Sequence, residues 1–236
     1  MAQYLDWFIF TKKTVVMQRL GDLARTGHIF YVAGQIPREK AGYLAGKLDD
    51  LYQAGLSRLE QSRKRKAGKA SFRLLMLADA EDATGPVSWW LVRTEGEVPA
   101  PAERERWRNL LVDRLKLTGY ELVRQTRAGA SAPAWTWRYE KEQEQALRHA
   151  LLRAIRSRRD DELRQLIHTI WRTPGFAGAR AQAKRFADLI RSDWKRSRGT
   201  EVLPEIPQAL GYVRRLADVG LKLSELGVRV RGHRRS

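Results

Sequence analysis

Cysteine is missing from all 236 residues. Its absence removes disulfides, thiolate metal sites, iron–sulfur clusters and a cysteine nucleophile together, and suits a reducing compartment. Acid is scarce as well, with 27 Asp and Glu against 45 Lys and Arg and a formal net charge of +18. No uncharged run reaches the ~18 residues a membrane helix needs. The opening "MAQYLDWFIFTKK" has an aspartate inside its apolar stretch and no basic leader, so a secretory signal is not expected. These absences point to a cytoplasmic protein with no membrane partner.

Catalytic signatures are equally sparse. There is no G-x-x-x-x-G-K-[ST] phosphate loop, no G-x-G-x-x-G after a strand and no G-x-S-x-G elbow. The four histidines, His28, His149, His168 and His233, show neither H-x-H nor H-E-x-x-H spacing, and no carboxylates line up to complete a zinc site. No metal and no cofactor is expected. The pairs Asp49–Asp50 and Asp160–Asp161 are adjacent within a helix or at its cap, so both members do not face one site, and capping is the plainer role. His28 is the one candidate catalytic residue. It follows the first helix beside Arg25 and ahead of Arg38, where an imidazole can serve as general base on an RNA 2′-hydroxyl or simply complement the helix dipole.

What is present is a sizeable apolar content, 43% of residues, and a large cation excess. The former can fill a core at this length. The latter opposes a compact fold by self-repulsion unless an anionic partner screens it, and nucleic acid is the commonest such partner of a basic protein. An anionic membrane surface and an acidic protein are the lesser alternatives for such charge, and other protein subunits of a complex are a further class of partner.

Along the chain, "YLDWFIF", a helix over "TVVMQRLGDLAR" and "HIFYVAGQI" read as strand, helix, strand, the last stopped by Pro37. From Glu39, leucines at 44, 48, 51, 56 and 59 predict a long amphipathic helix running into the basic stretch "SRKRKAGKA". "FRLLMLADA" and "VSWWLVRTE" predict a hairpin across the turn "EDATGP". "RERWRNLLVDRLKL" predicts a helix closed by Gly119, followed by a ribbon of "YELVRQT" and "WTWRYEK". A helix with a two-stranded ribbon is one way to write a winged helix. It is equally the closing part of a ferredoxin-like βαββαβ half-domain. From residue 141 the text reads as helices throughout, including a short last one over "YVRRLADVGLKLSEL", and residues 141–236 hold 22 Lys and Arg against 11 acids. The expected organisation is α+β, with an α/β domain over 1–140 and a basic helical domain over 141–236.

The expected phosphate contacts follow from helical phase. On a helix over 179–198, Arg180, Lys184, Arg191, Lys195 and Arg198 fall within roughly 60° of one another, about 100° from an apolar stripe. Such a row, roughly 27 Å long, matches a nucleic-acid backbone in scale. The basic stretch adds Arg63, Lys64, Arg65, Lys66 and Lys69, and Arg214 and Arg215 extend the set. Trp135, Trp137 and Tyr139 alternate along one strand with Arg138 nearby and Arg127 in the preceding loop. Aromatics at period two belong to a core more often than to a base-stacking platform.

Two resemblances accompany this reading. "PGFAGARAQAKRFADLIRSDWKRSRG", "LPEIP…LGYVRRLADVGLKLSEL" and "LKLTGYELVR…PAWTWR" resemble proteins of conjugative plasmids and integrative elements of proteobacteria, over about the last 120 residues. That implies a mobile-element setting and no activity. The order strand, helix, strand, with His28 early and a basic helix later, is similar to the ferredoxin-like CRISPR RNA-processing endoribonucleases. That resemblance implies metal-independent cleavage using His28 with Arg25 or Arg38, or an RNA-binding role in a ribonucleoprotein. The glycine-rich loop of that family is missing here. The reading favoured by the residues is non-enzymatic binding of DNA or RNA.

Overall fold

The computed structural model describes residues 6–226, apart from 80, 83, 127, 128 and 213. The chain is mixed α+β. The described residues gather into two compact units, one from the chain up to Asp113 together with the stretch from Leu216 onward, the other Arg114–Arg215. The ribbon thus groups with the helices that follow it.

The first unit runs β1 (Phe8–Phe10), α1 (Lys13–Arg25), β2 (Phe30–Ile36), a 3₁₀ turn (Arg38–Lys40), α2 (Ala41–Tyr52), α3 (Arg58–Lys66), β3 (Phe72–Leu77), β4 (Val87–Arg93), the short α4 (Ala100–Glu103) and β5 (Arg108–Asn109). The second holds β6 (Lys116–Leu117), β7 (Tyr120–Thr126), β8 (Pro133–Tyr139), α5 (Lys141–Arg156), α6 (Asp160–Trp171) and α7 (Ala177–Arg198). The chain then returns to the first unit with β9 (Gly220–Lys222) and a 3₁₀ turn, Leu223–Leu226.

The first unit's sheet has the order β5-β2-β4-β3-β1-β9. β1 runs parallel to β3, and the remaining neighbours are antiparallel. Two helices separate β2 from the β3–β4 hairpin, so the order of elements is not βαββαβ. Alternation sends Phe72, Leu74 and Met76 to one face, where Ala41, Ala45, Leu48 and Tyr52 of α2 cover them at i, i+4, i+7 and i+11. α1 packs on β1 and β3 and buries Val15, Val16, Met17 and Leu20. Each such side chain contributes about 1.5–3 kcal/mol.

Three expected helices differ. The long helix from Glu39 is two, because Gln53 takes a left-handed φ of 55° and ends α2. A capping box then starts α3, with Ser57 Oγ accepting from the Glu60 amide and Glu60 accepting from the Ser57 amide. Most of "SRKRKAGKA" is thus the last turns of a helix rather than a linker. Ser57→Ala is expected to lower stability by about 1 kcal/mol, measured by urea denaturation.

"RERWRNLLVDRLKL" is not helical. The Asn109 side chain accepts from the Leu111 amide and its carbonyl accepts from Val112, a local turn that competes with helix propagation. The winged-helix reading loses its helix with it. The described residues of "YVRRLADVGLKLSEL" ahead of Gly220 are coil, and β9 and the 3₁₀ turn follow, with the Phe8↔Lys222 register along β1. A Cβ on Gly220 would sit 2.0 Å from the Ile9 carbonyl, so close strand approach fixes that glycine.

In the second unit, Trp137 and Tyr139 are buried and Trp135 half-buried, with Tyr139 stacked on Tyr120 at 4.8 Å. The alternating aromatics are core. α7 lies along the free edge of β8, where a Cβ on Gly178 would come within 2.6 Å of the Trp137 carbonyl. Gln182 completes that edge: its Oε1 accepts from the Tyr139 amide and its Nε2 donates to the Tyr139 carbonyl, as a neighbouring strand would.

Candidate nucleic-acid interface

The helical row of the second unit is shorter than its phase implies. Lys184 and Lys195 are exposed. Arg191 is paired with Asp188 at 3.2 Å. Arg180 and Arg198 lie at the border of the buried arc, and non-helical chain covers that border at both ends. Arg180 donates to the Leu210 carbonyl and lies 3.3 Å over the Tyr212 ring. Arg198 is only 8% exposed and grips Asp160 through both terminal nitrogens, with Glu201 on its Nε. It joins the start of α6 to the end of α7 and offers nothing to a phosphate, so its place in the row is corrected.

Acids neutralise much of the remaining charge there. Asp193, buried, is held by Arg156 and Arg196, and its carboxyl is pushed below the usual range by the Arg156 hydrogen bond first. Arg185 pairs with Glu144, Arg164 with Asp161, and Arg153 and Arg159 with Glu162. On the ribbon, Arg138 donates to Glu121, which Arg114 also binds. Arg138 is therefore a structural ion pair rather than a free contact. Arg127 lies outside the described residues. Arg214 and Arg215 are exposed, on the coil after α7.

The first unit is different. Between residues 58 and 73 seven cations, Arg58, Arg63, Lys64, Arg65, Lys66, Lys69 and Arg73, accompany one acid, Glu60. That acid is committed to the cap of its own helix. Among the described residues none of the seven has a carboxylate within ion-pair distance. Arg63, Arg65, Lys66 and Lys69 are exposed, Lys64 is half-buried, and Lys64 and Lys69 crowd one another.

His28 lies beneath this cluster and is 3% exposed. Its Nε2 is 3.3 Å from Ser71 Oγ, and its Nδ1 lies 3.3 Å from the Leu23 carbonyl and 3.2 Å from Thr26 Oγ1. Burial above all, with the Arg65 and Arg73 charges, lowers its pKa to about 4. Arg25 is paired with Asp22. Arg38, beyond the far end of β2, donates to the carbonyls of Asp79, Asp82 and Gly85. The structure thus places the residues of the catalytic expectation with the His28 ring buried and Arg25 and Arg38 on other partners, whereas a general base must reach the proton it removes.

The chain matches no protein-family model, and neither a curated protein nor a solved structure is similar to it. The site is therefore read from its own residues. Asp49 accepts from the Gly55 amide, Asp160 binds Arg198 and Asp161 binds Arg164, while the start of α6 has no side-chain cap hydrogen bond, so the expected capping by Asp160 or Asp161 is not made. Among the described residues no cluster of three or more His, Asp or Glu is placed to hold a metal ion. No helix among them is long and apolar enough to cross a membrane.

Sequence reasoning found the cations of α3 but missed Arg58 and Arg73. The S-x-x-E pattern of Ser57 and Glu60 was the available signal. It starts a helix at 58, and the i, i+7 spacing then puts Arg58 and Arg65 on one stripe.

Proposed function

We propose that this protein binds nucleic acid without cleaving it, gripping phosphates with the cations of α3 and the first residues of β3, in the cytoplasm and in the setting of a mobile genetic element. The single observation that carries the reading is seven cations within sixteen residues, 58 to 73, facing one acid that already caps their own helix. Elsewhere several arginines are paired with carboxylates, as at Asp193, Glu121 and Glu162. A polyphosphate supplies here the counter-charge that the protein withholds. Lys184 and Lys195 of α7 form a smaller second set in their own unit, with Arg214 and Arg215 on the coil after it.

The test is a salt-titrated competition among duplex DNA, single-stranded DNA and structured RNA. On duplex, log K falls against log [salt] by about 0.9 per phosphate contact. The double variant R63Q/K66Q is expected to shallow that slope by about 2 and to weaken binding roughly tenfold, whereas K184Q/K195Q changes it less. A salt-independent affinity, or none for any of the three polymers, overturns the proposal. The mobile-element setting rests on the resemblance of the last 120 or so residues alone.

A further inference from the structure

We infer that Arg58, Arg65 and Arg73, on α3 and at the start of β3, form with their guanidinium groups a subsite for one phosphate group. This deepens the nucleic-acid reading and rests on it for the source of the phosphate. Arg58 and Arg65 share one stripe of α3 at i, i+7, with half-buried Ser62 between them. Ser71 and Arg73, two residues apart at the start of β3, point to the same side of the strand. Arg65 reaches that side, its Nη1 3.4 Å from Ser71 Oγ, and Ser71 is anchored in turn by His28. Arg73 Nη1 donates to the Leu56 carbonyl at 2.7 Å, which fixes the guanidinium facing α3.

The peculiarity of the site is Arg73. Several arginines that this fold draws in have a carboxylate or an aromatic ring beside them, and half-buried Arg38 has three carbonyls. Arg19 has Asp218, Arg198 has Asp160 and Glu201, Arg138 has Glu121, and Arg93 is stacked over the rings of Phe30 and Trp107 at 4.2 and 4.9 Å. Arg73 is half-buried with one carbonyl, no ion pair among the described residues, and two further guanidinium groups as its neighbours. Burial and the Arg58 and Arg65 charges weaken its hold on its proton. A charge withdrawn from water among like charges opposes folding until an anion joins it. The planar fork of arginine fits phosphate oxygens in pairs, so three neighbouring forks select a phosphate over a diffuse anionic surface. The phosphate can be an internal diester, a strand end or a free ion.

The experiment measures binding of labelled single-stranded oligonucleotides, with and without a terminal phosphate, and follows the His28 ring signals by NMR as inorganic phosphate is added. Arg73→Gln is expected to weaken oligonucleotide binding tenfold or more, against about two- to fivefold for Arg63→Gln on the outer side of the same helix. Inorganic phosphate is expected to shift the His28 signals in the parent protein and not in the Arg73 variant. A larger loss with the terminally phosphorylated strand identifies a strand end as the source. Equal losses for Arg73 and Arg63, with His28 unmoved by phosphate, overturn the subsite and leave nucleic-acid binding standing. Phosphate that moves His28 in a protein that binds no oligonucleotide overturns the nucleic-acid source and keeps the subsite for a small phosphorylated ligand. Should Arg73→Gln fail to fold, Arg58→Gln on the exposed helix stripe gives the same comparison.

Discussion

Gln182→Ala is expected to destabilise the 114–215 unit by about 3 kcal/mol, enough to lower its thermal midpoint by roughly 10–20 °C. Gln182 is 1% exposed and satisfies both main-chain groups of Tyr139. Truncation leaves a buried N–H and a buried C=O without partners, each worth about 1–3 kcal/mol in lost solvation. The Gln182 amide also donates to Glu144 at 2.8 Å. Gln182→Glu separates these roles, since a carboxylate still accepts from the Tyr139 amide but cannot donate to its carbonyl and repels Glu144. Calorimetry should rank wild type above both variants. A wild-type midpoint for Gln182→Ala would mean that water reaches the β8 edge and that the amide is dispensable.

The second large effect is on pH. His28 is held neutral in the folded protein with a pKa of about 4, below its ordinary 6.5. The unfolded chain therefore binds this proton at a higher pH than the folded chain, and stability falls as pH falls. His28 contributes fully above pH 6.5, and its contribution declines through the window down to about 4. The loss totals about 3 kcal/mol, at 1.36 kcal/mol per unit of pKa difference. Carboxylates held low by arginines, Asp160 and Glu162 among them, add their own losses at the acid end. Urea denaturation at pH 7, 6, 5 and 4.5 isolates the histidine part. A flat stability from pH 7 to 5 would show that water or a shifted side chain already solvates the ring.

Why some of this was legible and some not follows from particular residues. The strand–helix–strand opening, the β3–β4 hairpin, the ribbon and the three helices α5 to α7 carry strict periods of two or near 3.6, and pattern alone places them. The 104–117 stretch has helical leucine spacing, yet Leu111 and Val112 are 54% and 78% exposed, because the Asn109 side chain diverts the chain into a turn. A hydrogen bond from one amide side chain has no periodic signature. At the site, helical phase put Arg180, Lys184, Arg191, Lys195 and Arg198 on one side of α7, of which Lys184 and Lys195 are exposed and Arg198 is buried. It could not show that residues 210–212 and Glu201, which are not helical, would lie over Arg180 and Arg198. Likewise His28 stands beside arginines in the sequence, but its burial depends on Ser71, 43 positions later.

The pairing of β1 with β9 has a consequence for synthesis. Phe8 and Lys222 stand opposite each other although nearly the whole chain lies between them, so β1 emerges from the ribosome long before its outer neighbour exists. The intervening 114–215 unit is continuous and can mature in that interval. Until residues 220–222 arrive, the newborn protein displays an unguarded strand margin, the kind of surface on which chaperones or a second nascent copy settle.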